Sequence, residues 1–184
     1  MSSNMSLTDT LVASVVIPVY NRKQILKKVL NSLFVQDFPD EQFEIIVIDD
    51  GSTDGSGEMV MSMVDSMPEH KRHLRYCWQE RKGPAVARNQ GIRMARGRLV
   101  IFIDSDLIVC PEFVRIHVNA HTEDNFIVHG PVIHTTDLDN PTSARYKITD
   151  IARAFFATGN VSIKKDALVQ AGLFDEDFKE YGWE

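Results

Sequence analysis

No apolar run in this 184-residue chain approaches the 18 or so residues that a membrane-crossing helix requires. The opening stretch MSSNMSLTDT has neither the basic segment nor the apolar core of a secretion signal. Cysteine is scarce: Cys77 and Cys110 are the only two, far apart and without metal-ligand spacing. They argue against a disulfide and predict buried thiols in a reducing compartment. A basic excess is missing too, since 20 Lys and Arg face 26 Asp and Glu for a net charge of -6, so no nucleic-acid partner is expected. The small basic cluster of Lys71, Arg72, His73 and Arg75 stays local, and there is no internal repeat. These absences predict a cytoplasmic protein.

What is present is ordinary for a globular domain: 43% hydrophobic and 25% charged residues in a chain long enough for one real core. Residues 1–12 are expected to be a disordered polar tail, and 13–184 a single domain. VASVVIPVY (Val12 to Tyr20), FEIIVID (Phe43 to Asp49), Leu74 to Trp78 and LVIFID are short β-branched or alternating runs that predict strands. Between them, Ile25, Leu26, Val29, Leu30, Leu33 and Phe34 mark one face of a helix. Met59, Val60, Met63, Val64 and Met67 mark a second, whose methionines read as core filler. GPAVARNQGIRMARG reads as a loop entering a third helix. Strand and helix alternating with short links predict an α/β domain, its mostly parallel sheet covered on both faces. From Pro111 onward the pattern changes to a helix around Glu112 to His121, a strand in FIVHGPVI and a short helix in ALVQAG.

IFIDSDLIV, residues 101 to 109, places Asp104 and Asp106 in an otherwise apolar run. If both lie on the strand they sit roughly 7 Å apart on one face and repel by about 2 to 3 kcal/mol at an effective dielectric near 20. A divalent cation would remove that cost. The alternative is a strand ending at Ile103 with Asp104, Ser105 and Asp106 in a solvated turn. In an open parallel sheet, ligands bind beyond the carboxyl ends of the strands. Pro18 to Asn21, Asp49 with Asp50, and Asp104 with Asp106 should therefore meet at one edge. Four carboxylates gathered there without a cation or a ligand donor would be costly. For Asp49 and Asp50 the competing reading is an Asx turn into GSTDGS, and for Tyr20 it is core packing.

VVIPVYNR, IIVIDDGSTDGS, GPAVARNQG and FIDSD, in that order and at these separations, resemble the donor-binding half of the inverting GT-A glycosyltransferases of family two. The likeness runs from Val15 to Glu184. It implies a GT-A, Rossmann-like fold and an enzyme that moves a sugar from a nucleotide-diphosphate donor, a UDP-sugar, to an acceptor hydroxyl in a carbohydrate, lipid-linked or protein acceptor. Residue by residue it implies that Pro18 and Tyr20 line the base pocket, that Asn21 belongs to the donor site, that Asp50 reads the base and that Asp49 supports the loop. Lys82 and Arg88 become phosphate or ribose contacts, with a solvated helix position as the other reading of Arg88. In the DxD-like DSD, Asp104 and Ser105 would belong to the donor site and Asp106 would hold Mn2+ or Mg2+.

Further along, ATGNVSI places Gly159 and Asn160 near the reaction, and GLFDEDF leading to YGWE looks like the approach to the family's acidic catalytic pair. The resemblance makes Glu184 the base or its neighbour, and Trp183 an acceptor-stacking or core residue. The second acid of the pair is missing after Glu184, so the domain is expected to be cut from a longer protein, with any membrane contact made through parts outside this chain. His121, His129 and His134 read as surface or packing residues.

Three other readings each fit part of the pattern. A receiver-like domain would need a phosphoacceptor Asp and a later strand-end Lys, and leaves the DSD unexplained. A sugar nucleotidyltransferase normally opens with a glycine-rich basic loop where this chain has PVYNR. A donor-binding module without turnover would result if the base and the acceptor-binding helices lay beyond residue 184.

Overall fold

The computed structural model describes residues 11–68, 73–121, 127–135, 137, 140–141 and 159–177. Four parallel strands, β1 (Ala13–Val19), β2 (Phe43–Asp50), β3 (Leu74–Gln79) and β4 (Leu99–Ile103), form the body of a six-stranded sheet. The order is β3-β2-β1-β4-β6-β5. Here β6 (Asn160–Lys164) runs antiparallel to β4, and β5 (Ile127–His129) antiparallel to β6. Crossover helices α1 (Lys23–Leu33), α2 (Ser56–Ser66) and α3 (Pro84–Met94) join the first four strands. Helix α4 (Phe113–Ala120) follows β4, and α5 (Lys165–Gln170) follows β6.

The apolar runs of β1, β2 and β4 are continuous because both faces are covered. Val15, Ile17 and Val19 point to the side packed by α1, α2 and α4, together with Ile45, Val47, Ile101 and Ile103. Val16, Ile46, Ile48, Val100 and Phe102 point to the other side, against Ala85, Ala87 and Ile92 of α3 and Leu168 of α5. Helix α3 lies unusually close to β1 because Gly91 faces Val16, where any Cβ would clash with the valine. The methionines of α2 behave as expected: Met59, Met63 and Met67 are partly buried against the first of these cores.

The thiols depart from expectation. Cys110 is exposed and Cys77 only half-buried. In the segment after β4 it is Val109 that turns into the core, leaving its neighbour outside. Cys77 lies on β3, an edge strand whose cover is incomplete. The sheet also extends beyond the four strands read from the sequence: FIVHGPVI contributes only three strand residues, and the segment from Asn160 is itself a strand.

Candidate active site

Because β1, β2 and β4 are parallel and adjacent, their C-terminal ends open onto one edge of the sheet. Asp50 is the last residue of β2 and is only 6% exposed. Its Oδ1 accepts hydrogen bonds from the Gln79 side chain and the Lys82 backbone N–H, both at 2.8 Å, and its Oδ2 accepts from Gly83 N–H at 2.9 Å. A carboxylate has about four acceptor positions. Three are used in bending the β3–α3 loop over the strand end, and one remains on Oδ2. Gly83 makes that bend with φ +99°, immediately before Pro84 starts α3.

Asp49 serves the loop that follows it. Its Oδ1 caps Ser52 N–H at 2.7 Å and its Oδ2 accepts from the Tyr76 hydroxyl at 2.8 Å. Burial, and then the hydrogen bond to Asp49 and its charge, push the Tyr76 phenol well above its ordinary range, so it stays a donor. Asn21 stitches the β1 and β2 loops together: its N–H donates to Ser52 Oγ at 2.9 Å and its Oδ1 accepts from Thr53 N–H at 2.8 Å. It adopts φ +51°, a left-handed conformation that asparagine tolerates. The Asx turn and the anchoring role are thus one geometry.

A cavity of about 600 Å³ opens above Asp50, lined by Tyr20, Arg81, Lys82, Gly83, Pro84, Val86, Glu176 and Asp177. The Arg81 guanidinium lies over the Tyr20 ring, 3.8 Å from its centroid, a stacking worth roughly 0.5 to 1 kcal/mol where exposed. Tyr20 therefore faces the cavity instead of the core. Pro18, half-buried on β1, pairs across to Ile48 and does not line the cavity. Glu176 is held by Asn89, whose Nδ2 donates to it at 2.9 Å, and by Arg93 at 3.1 Å. Those two donors keep its carboxyl below the usual range despite some burial. Asn89 also pairs with both backbone groups of Phe174 at 2.9 Å, fixing residues 174–176 beside the cavity.

At the other end of the edge, β4 stops at Ile103, and residues 104–106 form a turn in which Leu107 N–H bonds to the Asp104 carbonyl at 3.1 Å. The turn reading of the DSD is the one realised. It separates the two acids: the Asp104 side chain is about half exposed, Ser105 is buried, and Asp106 pairs with the Arg22 guanidinium. Arg88 is 2% exposed, which removes the solvated reading, and its Nη2 lies 3.4 Å from Asp104 Oδ1. Gly159 packs on the other side of that carboxylate, where an added Cβ would come within 2.8 Å of Oδ2. The Asn160 side chain turns away from the cavity toward His117 and the Pro131 carbonyl. Among the described residues no three acidic, histidine or cysteine side chains cluster as a ready-made metal site. Glu184 and Trp183 lie outside the described residues.

A family model, Glycosyl transferase family 2, matches residues 14–174. The chain belongs to this family. An uncharacterised glycosyltransferase, YfnE of Bacillus subtilis, is 30% identical over 94% of this chain and 58% of its own length. Among solved structures, the mannosyltransferase PcManGT of Pyrobaculum calidifontis, in complex with GDP-Man and Mn2+, superposes with a TM-score of 0.73 at 23% identity. It covers 90% of this chain, which spans 48% of that one. The S. aureus TarS fragment 1-349 in complex with UDP-GlcNAc superposes with a TM-score of 0.70 at 22% identity, covering 89% of this chain and 48% of its own. The fold is that of the GT-A glycosyltransferases, and the chain spans 58% of the length of YfnE and 48% of each of these two solved chains.

Several residues that shape this edge had little signal in the sequence. Arg22 and Arg81 are loop cations that no motif in the sequence sets apart. Glu176 and Asp177 belong to an acidic stretch more than 120 residues from Asp50 in sequence, and only the fold brings them to the cavity.

Proposed function

We propose that this chain forms the donor-binding half of a metal-dependent, inverting glycosyltransferase that moves a sugar from a nucleoside diphosphate to an acceptor hydroxyl. The observation that carries this reading is the single remaining acceptor position of Asp50 at the floor of a cavity faced by Tyr20. A carboxylate can accept a ring N–H but offers nothing to a base that presents only acceptors there. Uracil and guanine carry such an N–H in the pairing position. A UDP-sugar is the donor favoured, with GDP the rival that the same geometry would admit.

Asp106 fits a cation site: a half-exposed carboxylate beyond a strand end, two residues from a second carboxylate, suits Mg2+ or Mn2+ that takes its remaining oxygens from substrate phosphates. When bound, such an ion neutralises charge on the departing diphosphate. The chain's own residues do the rest. The Asp50 carboxylate and the Tyr20–Arg81 pair orient the base. Lys82 at the cavity rim and the buried Arg88 supply positive charge along the path from base to sugar, and Asp104, between Arg88 and Gly159, holds a ribose or sugar hydroxyl. In the transfer, the acceptor oxygen forms its bond to the anomeric carbon as the bond to the diphosphate breaks, and a carboxylate takes the hydroxyl proton. By family resemblance that base is Glu184, with Trp183 beside the acceptor, which is a carbohydrate, a lipid-linked sugar or a protein.

The test is calorimetric titration of UDP and of GDP, each with and without Mn2+, into the wild type and Asp106→Asn. Mn2+-dependent UDP binding that disappears in the variant supports the reading. An unchanged metal effect in Asp106→Asn sinks the metal assignment, and tighter GDP binding overturns the choice of base.

A further inference from the structure

We propose that His117 is a positioning residue that acts through Asn160 to hold Gly159 against the Asp104 carboxylate. The proposal deepens the reading above, because Asp104 matters to donor binding only if that reading holds.

His117 lies on α4, is 3% exposed, and packs edge-on against Phe113 with ring centroids 4.7 Å apart. Its Nε2 is 2.9 Å from Asn160 Oδ1, its Nδ1 is 2.7 Å from Ser162 Oγ, and the same Oγ is 2.9 Å from His121 Nε2. Asn160 Nδ2 donates to the Pro131 carbonyl at 3.1 Å, which fixes its amide with Oδ1 toward the imidazole. An amide oxygen only accepts, so hydrogen-bond logic assigns the His117 proton to Nε2. Nδ1 of the neutral ring then accepts from the Ser162 hydroxyl, whose oxygen accepts from His121 Nε2–H. Each hydrogen-bonded atom along this chain has one role, and His121 Nδ1 at its end is buried without a hydrogen-bond partner. The pairing satisfies the buried His117 ring, which would otherwise cost stability, where an apolar residue would fill the space more simply.

The far end of the network reaches the site. Asn160 pairs with Ile103, the residue before Asp104, and Gly130 N–H bonds to the Asn160 carbonyl at 3.0 Å. The next residue toward the site is Gly159, whose Cα lies so near Asp104 that a Cβ would crowd Oδ2. With Arg88 3.4 Å away on the other side, the carboxylate sits in a slot, one wall of which is positioned by the Asn160 side chain. A shift of Asn160 widens that slot.

The titratable and charged groups facing the pair are His129 on β5 and Lys164 on β6, both cationic when charged. Burial holds His117 and His121 below the ordinary imidazole value, with some opposition at His117 from the hydrogen bond to Asn160. Protonation would place a second N–H of His117 against Ser162 Oγ, which already accepts from His121. The Nε2–H donor to Asn160 is present in both protonation states of the ring.

The experiment uses His117→Gln, whose amide can reproduce both hydrogen bonds, and His117→Leu, which reproduces neither, with Ser162→Ala as the milder variant if His117→Leu fails to fold. Two readouts are taken: the Gly159 backbone amide resonance, and UDP-GlcNAc binding with Mn2+ at pH 7.5. Expected are a displaced Gly159 resonance and about tenfold weaker binding in His117→Leu, the loss of one hydrogen bond's worth of positioning. Near-native values in His117→Gln complete the expected pattern. An unmoved Gly159 resonance in folded His117→Leu, or in Ser162→Ala where that variant replaces it, overturns the positioning role. A moved resonance with unchanged binding overturns its functional consequence. If the wild type binds neither UDP nor UDP-GlcNAc, the donor reading has failed, and the Gly159 resonance still decides the positioning.

Discussion

Asp50 and Asp106 both sit where a parallel strand gives way to a loop, yet they are held in opposite ways. Asp50 is 6% exposed and gathers a side-chain amide and two backbone N–H groups. Asp106 is 48% exposed and meets the long, mobile side chain of Arg22. The first is built into the fold, since removing it would leave two backbone donors without their acceptor. The second costs the fold little and is free to exchange its cationic partner. On the proposed reading, a site that must recognise a base and release a diphosphate profits from this division: the end proposed to read the base is rigid beforehand, and the end proposed to meet the charge can be remade.

The largest expected effect breaks the rigid end. Asp50→Ala should destabilise the domain by on the order of 2 to 4 kcal/mol, because Lys82 and Gly83 N–H groups lose a charged acceptor in a buried setting. It should also abolish nucleotide binding. Urea unfolding and calorimetry read the two consequences separately. A variant of wild-type stability that still binds UDP would erase the contrast between the two aspartates.

Asp106→Asn tests the open end. Its stability in the same urea titration should stay within about 0.5 kcal/mol of wild type, as for an exposed ion pair, while the Mn2+-dependent part of UDP binding is lost. Arg22→Ala sharpens the point in the other direction. If Arg22 competes with the cation for Asp106, its removal should tighten Mn2+ in the presence of UDP by a few-fold, in keeping with the ~0.2 to 1 kcal/mol of an exposed pair. Weaker Mn2+ binding in this variant would instead make Arg22 a partner of the diphosphate.

The same contrast explains what could be read from the sequence. Strands β1, β2 and β4 were legible because burial on both faces writes itself as unbroken apolar runs, and the acids at their ends stood out against that background. That these strand ends share one edge followed from parallel topology alone. Strand β5 was only partly legible, since its three residues alternate between exposed and half-buried, and β6 was read as a substrate segment. Its inward groups include Asn160 and Ser162, whose partner His117 is more than 40 residues away and looks like any helical histidine. Cys110 shows the limit in miniature: a thiol beside Leu107, Ile108 and Val109 reads as core, but whether the chain turns it inward depends on a backbone bend with no residue signature.

A further expected effect probes the rigid end through a residue outside the cavity. Asp54 accepts from the Ser56 N–H at 3.0 Å, the Ser56 hydroxyl at 2.6 Å and the Lys23 N–H at 2.9 Å, joining the start of α1 to the start of α2. Slight burial works against its ionisation, but these donors outweigh it and hold the carboxyl below its ordinary value. A folded-state value below the unfolded one means that the stabilisation is present above the unfolded value near 3.9 and is lost as pH falls through the folded one. Asp54→Asn should therefore cost about 0.5 to 1 kcal/mol at pH 7, the scale of a lost helix cap. The difference from wild type should shrink as unfolding is measured at successively lower pH below 4. A difference that persists at the lowest pH would mean that the side chain acts by shape and not by charge, and that the loops framing Asp50 are held by their backbone geometry alone.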